Sequence, residues 1–513
     1  MKRKLSVSVA ACCASVAMLW SSAASALEMP SIFGDHMVLQ QGKDLPVWGW
    51  GEPGEAVRVR LGGRSEKTTA DEQGNWKVTF TPFETGRPLK MKVSGESDTL
   101  SFEDVLIGEV WVASGQSNMQ WTVGNSNNSR LEIEQADHPE LRLFYVPRTV
   151  ADEPQRDCDA EWVVCTPETV PEFSAVAYFF GRDLNRELGV PVGMIHSSWG
   201  GTPAEAWTTI DSIHADPMLQ PISERWDAQA EADRAARAAY EEAHAAWQAA
   251  ADKSAAEPEA PKPGNRDSWQ PGGLYNAMIA PLVPYAIQGA IWYQGESNAD
   301  RAFQYRTLFP RMIMDWHEAW GEGAFPFLFV QLANFQARQA EPVDSAWAEL
   351  REAQAMTLDA VENSGQAVII DLGSAIDIHP RNKQDVGWRL ALNALANTYG
   401  QDVAYRGPAY ESMSVEGNKA TLTFSHAEHG LQSWNQGKLV GFSIAGADQK
   451  FVWADAKIVG DNQVQVWSDA VAEPVAVRYG WADNPECNLY DGTGLPASPS
   501  RTDDWPGVTV EAR

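Results

Sequence analysis

Residues 110–119 read Val110-Trp111-Val112-Ala113-Ser114-Gly115-Gln116-Ser117-Asn118-Met119. Four apolar residues give way at once to small and amide side chains, as when a buried strand of a parallel sheet ends in a tight loop. Similar apolar runs recur at Val192–Ile195, Ala290–Tyr293, Phe327–Leu332 and Val368–Ile370. Helical periodicity lies between them, over Tyr178–Leu188, Tyr305–Trp320, Ala346–Leu358 and Lys383–Ala396. Strands alternating with helices predict an α/β domain over 106–407, a parallel sheet with helices on both faces. Inside it, residues 221–253 are Ala/Glu-rich at helical period and are followed by a Pro-rich stretch ending Pro261-Lys262-Pro263-Gly264. That pattern predicts a helical insertion over about 212–268, outside the sheet.

On either side the pattern turns to β. Short alternating runs at Val47–Trp50, Ala56–Leu61, Trp76–Phe80 and Leu89–Val93 are separated by turn signals such as Glu52-Pro53-Gly54. They predict a sandwich-type β domain over 27–105. The runs Ala420–Phe424, Leu439–Ile444, Val464–Trp467 and Ala476–Tyr479 predict a second β region over 408–513. The first 26 residues have the form of a signal peptide. Lys2, Arg3 and Lys4 precede an apolar stretch that closes on Ala24-Ser25-Ala26. Cleavage after Ala26 and a periplasmic or secreted location are expected. No later run is long and apolar enough to predict a membrane span.

The chain of 513 residues carries 40 basic and 69 acidic residues, a net charge of −29. Removing the leader's three basic residues takes this to −32, of which −4 falls on 27–105, −7 on 408–513 and the remaining −21 on the α/β part. Such a charge disfavours nucleic acid and anionic lipid as partners. The 22 tryptophans fit either sugar-binding faces or sandwich cores and decide nothing alone. Cys158, Cys165 and Cys487 remain after export. They allow a local Cys158–Cys165 disulfide or three buried thiols, and they are not a zinc site.

In open α/β sheets ligands bind beyond the carboxyl ends of the strands, so the residues after each apolar run carry the chemistry. They are Ser114–Met119, then Ser197-Ser198-Trp199-Gly200-Gly201-Thr202, then Gln294-Gly295-Glu296-Ser297-Asn298, and finally Asp371 followed by Asp377-Ile378-His379-Pro380. A hydroxyl on a tight turn, glycine amides, side-chain amides and a His near acids are the parts of serine-hydrolase chemistry. The bland alternatives are a turn hydroxyl for Ser117, a loop imidazole for His379 and a strand-to-helix turn for the Gly pair. Four ordered blocks outweigh them.

The stretches Trp111–Gln120, Ser198–Thr202, Trp292–Asn298 and Asp377–Gly387 together resemble the sialate O-acetylesterase family of SGNH-type serine esterases. Gly273–Leu282, Met37–Gln40 and Gly494–Pro499 extend the resemblance over nearly the whole mature chain, the helical insertion being its weakest part. It implies an SGNH-hydrolase-like sheet and a carbohydrate O-acetylesterase without metal or organic cofactor. Ser117 would be the nucleophile and His379 its base, with Asp377 orienting the imidazole. SGNH enzymes commonly place the acid three residues before the His, and that position here is Ile376. Asp371 and an unaided Ser–His dyad therefore stay open. The oxyanion hole would draw on the amides of Ser117 and Gly201 and on a side-chain amide from Gln294 or Asn298.

Gln116, Trp199, Glu296 and Arg381 are candidate substrate contacts. Trp121 shares with Trp199 the choice between stacking on a sugar and packing. Arg381 and Lys383 could meet a substrate carboxylate or pair with the site's own acids. A glycosidase built on Glu296 and Asp371 is disfavoured, as is a non-catalytic sugar-binding protein. The expected partner is an acetylated sugar, either a sialate or an acetylated plant polysaccharide such as xyloglucan or xylan. Oligomeric state is left open.

Overall fold

A computed structural model describes residues 27–250, 256–262, 264, 266–434 and 437–513. The expected signal peptide, with Cys12 and Cys13, lies outside these residues. Seven strands form the central layer: β1 (Thr99–Gly115), β2 (His138–Tyr145), β3 (Trp162–Cys165), β4 (Val192–Ser198), β5 (Gly289–Tyr293), β6 (Phe327–Val330) and β7 (Ser364–Ala367). Their order across the sheet is β7-β6-β5-β1-β4-β2-β3. All neighbours run parallel except β3, which pairs antiparallel with β2 at the edge. The layer is therefore a mixed sheet.

Both faces are buried, and the strands show it by alternation. Trp292, Phe327 and Phe329 enter one hydrophobic core, while Ile291, Tyr293, Leu328 and Val330 enter the other. Successive side chains on a strand point to opposite faces, so a strand with both neighbours covered reads as a continuous apolar run. Helices α2 (Ala175–Leu188) and α6 (Lys383–Asn397) contribute to the second core. The first receives α4 (Ala302–Trp320) and α5 (Ala346–Ala360). Helix α1 is the short Ser117–Gln120, and α3 is the insertion, Gln220–Ala249. Ile222 is the one buried side chain of α3, and beyond this root the helix is covered in part by the segment that follows it, through Asp233 to the Gly264 amide and His244 to Glu257.

The site's position follows from topology. Strands β2 to β4 lie on one side of β1 and β5 to β7 on the other. The winding reverses at β1, and the crevice at such a reversal is where open α/β sheets bind ligands.

Three expectations about strands need correction. The run Val368–Ile370 is not a strand; β7 lies just before it, at Ser364–Ala367. Strands β2 and β3 were not expected: β2 carries His138, Glu140 and Arg142 among its buried Leu141, Leu143 and Phe144, while β3 is the four-residue apolar run Trp162-Val163-Val164-Cys165, passed over in the sequence. The end expected for the first β segment at 105 falls inside β1. This 17-residue strand pairs first with Leu89–Ser94 and continues into the central sheet.

In the C-terminal region two four-stranded sheets share one core. Leu422, Phe424 and Val464 come from one sheet, Phe442, Ile444 and Val477 from the other. Arg351 of α5 fastens this region to the central layer. Fully buried, it donates to the carbonyls of Leu332 and Ala333 on one side and Ala482 and Asp483 on the other. Cys158, Cys165 and Cys487 are free thiols, and burial pushes each up to about 12.

Candidate active site

The carboxyl ends of β1, β4 and β5 are laced together. The Gln116 amide donates to the Tyr293 carbonyl (3.0 Å) and the Trp199 amide to the Gly115 carbonyl (3.1 Å). Gly115 has φ +134°, and a Cβ there would sit 2.2 Å from the Tyr293 oxygen, so only glycine lets β5 approach. Directly after this crossing the chain turns into α1 with Ser117 at its first position. A helix leaves its first amides without intrahelical partners, and the Ser117 amide has no hydrogen bond among the described residues.

His379 reaches the same point from the loop before α6. Its Nε2 lies 2.9 Å from Ser117 Oγ. Its Nδ1 lies 3.4 Å from Asp377 Oδ1, which also accepts the His379 backbone N–H at 2.9 Å. With Nδ1 protonated toward Asp377, Nε2 is left to accept the serine proton. The indole of Trp121 stacks on the imidazole, with centroids 4.9 Å apart and planes 15° apart. Asn382 caps α6 by accepting the Asp385 amide, which fixes where the His loop joins the helix. Asp371, the alternative acid, instead forms a two-pronged pair with Arg389 at 2.6 and 2.7 Å. Ile376, where an acid is customary, is 95% exposed. A second Ser–His pair, Ser198 with His196 at 2.6 Å, is wholly buried and offers no accessible hydroxyl.

A buried polar chain lies beneath the pair. Asn118 accepts from Lys383 Nζ (2.5 Å) and donates to Glu296 Oε1 (2.6 Å) and to the Ile378 carbonyl (3.0 Å). One side chain thus ties the serine turn, the β5 loop and the histidine loop. Lys383 is fully buried, and burial lowers its pKa to about 7 against the pull of Glu296 and Asp377. Burial likewise raises the Glu296 carboxyl, whose Oε2 is out of solvent and has no hydrogen-bond partner among the described residues. The His379 pKa is lowered, first by burial and then by the Lys383 charge, with Asp377 opposing.

The glycine pair divides its work. A Cβ on Gly200 would lie 3.2 Å from Ser117 Cβ, and the Gly200 amide donates to Gln120 Oε1 at 2.6 Å. Gly201 takes φ +75°, and its amide has no hydrogen bond among the described residues. Gln294 and Asn298 do not offer the expected side-chain amide. Gln294 Nε2 is spent on Asn298 Oδ1 (2.6 Å) and the Thr202 carbonyl (3.3 Å), Asn298 Nδ2 donates to Glu205 (2.8 Å), and both side chains are buried. They brace the loops from below.

The other candidate contacts also find protein partners. Gln116 Oε1 accepts the amides of Gly295 and Ser297 at 3.4 and 3.3 Å. Arg381 is turned away, donating to the Asn125 carbonyl (3.0 Å). Trp199 is half-buried against the core on the α4 and α5 side. Among the described residues no cluster of His, Cys, Asp or Glu could hold a metal ion.

Asn118 and Gln120 were missed as site residues, while Lys383, read as a partner for a substrate carboxylate or for the site's own acids, lies buried near Glu296 and Asp377. Lys383 had a readable signal: it shares the stripe of Val386, Gly387 and Leu390, the face of α6 that turns inward.

The profile of the family described as carbohydrate esterase, sialic acid-specific acetylesterase, matches residues 262–387. The human sialate O-acetylesterase is 30% identical over 96% of this chain and 96% of its own length. The chain belongs to the sialate O-acetylesterase family. The mouse sialate O-acetylesterase is likewise 30% identical, over 94% of this chain and 96% of its own. The crystal structure of a carbohydrate acetylesterase from Xanthomonas citri superposes with a TM-score of 0.81. It is 40% identical and covers 93% of this chain and 100% of that one. As a member of the sialate O-acetylesterase family the chain is an ester hydrolase of the carbohydrate O-acetylesterase type.

Proposed function

We propose that the protein removes O-acetyl groups from sugars through an acetyl-serine intermediate, with Ser117 as nucleophile and His379 as its base. The single observation that carries this reading is the 2.9 Å approach of His379 Nε2 to Ser117 Oγ at the carboxyl end of β1. An unassisted serine is a weak nucleophile, and a hydrogen-bonded imidazole removes its proton as the acyl carbonyl is attacked. The same proton then passes from Nε2 to the departing sugar alkoxide. Water, activated in the same way, hydrolyses the acetyl ester and returns Ser117. Asp377 holds the imidazole orientation and favours the imidazolium formed in both steps. The amides of Ser117 and Gly201 are the donors proposed for the developing oxyanion.

These blocks support reading the central layer as an SGNH-type hydrolase with a β region on each side. The leader supports export, with cleavage after Ala26. Two substrate sources fit. The family's mammalian members carry the name of sialate, whereas −21 of the mature charge on the α/β part suits a neutral acetylated glycan better than a polyanion. The test is acetate release by the purified protein from 9-O-acetylated sialic acid and from acetylated xyloglucan oligosaccharides. Release from either supports deacetylation of sugars and identifies the source. Release from neither, by protein that hydrolyses p-nitrophenyl acetate, overturns it.

A further inference from the structure

Beside the serine site lies a cavity of about 370 Å³, within the usual range for small-ligand sites. Its walls include Glu205, Arg225, Trp226, Trp269, Ser297 and Arg301. Two of these residues are fastened to the site's own loops. Trp269 Nε1 donates to the Gly201 carbonyl at 2.7 Å, and the Ser297 amide donates to Gln116, the neighbour of Ser117. The facing wall is the root of α3, which brings Arg225 and Trp226. Ile222 at this root is the helix's one buried side chain, and farther along the helix Asp233 accepts the Gly264 amide and His244 meets Glu257, both in the segment that follows it. The insertion therefore touches the catalytic layer where it completes this cavity.

The chemistry of the wall is mixed in the way a sugar requires. Indoles offer flat apolar surface to ring C–H groups, and guanidiniums donate to hydroxyl and ring oxygens. Donors are in excess. Arg225 and Arg301 share Glu205, at 3.9 and 3.3 Å, and Glu205 already accepts from Asn298. Among the described residues Arg225 Nη1 and Arg301 Nε have no hydrogen-bond partner. The formal charges of the wall cancel, Arg225 and Arg301 against Glu205 and Asp300. An acceptor-rich, uncharged occupant fits better than a second anion.

We propose that this cavity is a subsite for a neutral sugar residue linked to the acetylated one. Helix α3 would then make the enzyme prefer acetylated oligosaccharides to acetylated monosaccharides. The proposal rests on the deacetylase reading above and adds to it the size of the substrate and the residues that read it.

The test compares kcat/KM for O-acetylated xylotetraose with that for O-acetylated xylose, in the wild type and in Arg225→Ala/Trp226→Ala. The wild type should favour the tetrasaccharide at least tenfold. In the variant that ratio should fall to about one, mostly through KM. A second measurement needs no variant: unacetylated xylotetraose should inhibit the wild type at concentrations at least tenfold lower than xylose. Equal kcat/KM for the two substrates, a ratio unchanged in the variant, or equal inhibition by the two sugars would overturn the subsite. Wild type that hydrolyses neither xylose ester would also overturn the subsite, whereas failure on 9-O-acetylated sialic acid and acetylated xyloglucan oligosaccharides as well, by protein that hydrolyses p-nitrophenyl acetate, would overturn the deacetylase reading itself, a distinct result.

Discussion

Asp377→Asn isolates the acid's charge from its geometry. The asparagine Oδ1 can still accept the His379 backbone N–H, so the loop should keep its shape, while the carboxylate facing Nδ1 at 3.4 Å is lost. Two unit charges at that distance interact by about 1 kcal/mol in water and about 5 kcal/mol at the effective dielectric of a protein surface. The Asp377 side chain is 47% exposed, so screening pulls the value toward the lower bound. The imidazolium formed in the transition state should lose about 1–2 kcal/mol, which lowers kcat for p-nitrophenyl acetate by roughly 5- to 30-fold. Steady-state kinetics near pH 7.5, with circular dichroism to confirm the fold, measures it. A loss near 10⁴-fold, the scale of a fully buried triad acid, would refute the screened-pair reasoning. An unchanged rate would show that Ser117 and His379 act without Asp377.

Four further outcomes follow from the structure. Gly200→Ala puts a methyl 3.2 Å from Ser117 Cβ and 3.0 Å from Gln120 Oε1; displacing the nucleophile by some tenths of an ångström should lower kcat by about 10- to 100-fold with little change in KM. Because His379 must be neutral to accept the serine proton and its pKa is lowered, the acid limb of kcat/KM against pH should lie below the ordinary histidine value of 6.5. Lys383→Met removes the charge that adds to burial in lowering it and should move that limb to higher pH. Arg351→Met strands the buried carbonyls of Leu332 and Ala482 between the central layer and the C-terminal sheets, those of Ala333 and Asp483 keeping Trp347 Nε1 and the Phe335 amide; thermal or urea unfolding should show a loss of about 2–5 kcal/mol.

The helices were legible because each carries its apolar stripe and its cap in its own residues. The four expected helices lie inside α2, α4, α5 and α6, and differ from them by at most three residues at either end. Strands β4, β5 and β6 were legible because both faces are covered, which leaves unbroken apolar runs. Strand β2 was hidden by its polar residues. Ser117 and His379 could be named from their positions after strand ends, because topology dictates where such residues meet. The roles of Gln294 and Asn298 could not be named. An amide side chain suits an oxyanion hole and a buried brace equally, and only the partners Thr202, Glu205 and Tyr305 decide between them. Lys383 was legible only as one of two open roles, a substrate contact or a partner for the site's own acids. A lysine beside a site suggests a substrate contact, whereas here burial and the bond to Asn118 make it part of the floor.

The central claim is that the Ser117 hydroxyl attacks the acetyl carbonyl. Ser117→Ala removes that oxygen at a half-exposed turn and leaves the neighbouring fold in place. Acetate release from p-nitrophenyl acetate, measured side by side for wild type and variant, tests the claim most directly. A fall of at least 10³-fold in kcat is expected, and equal rates would contradict the account.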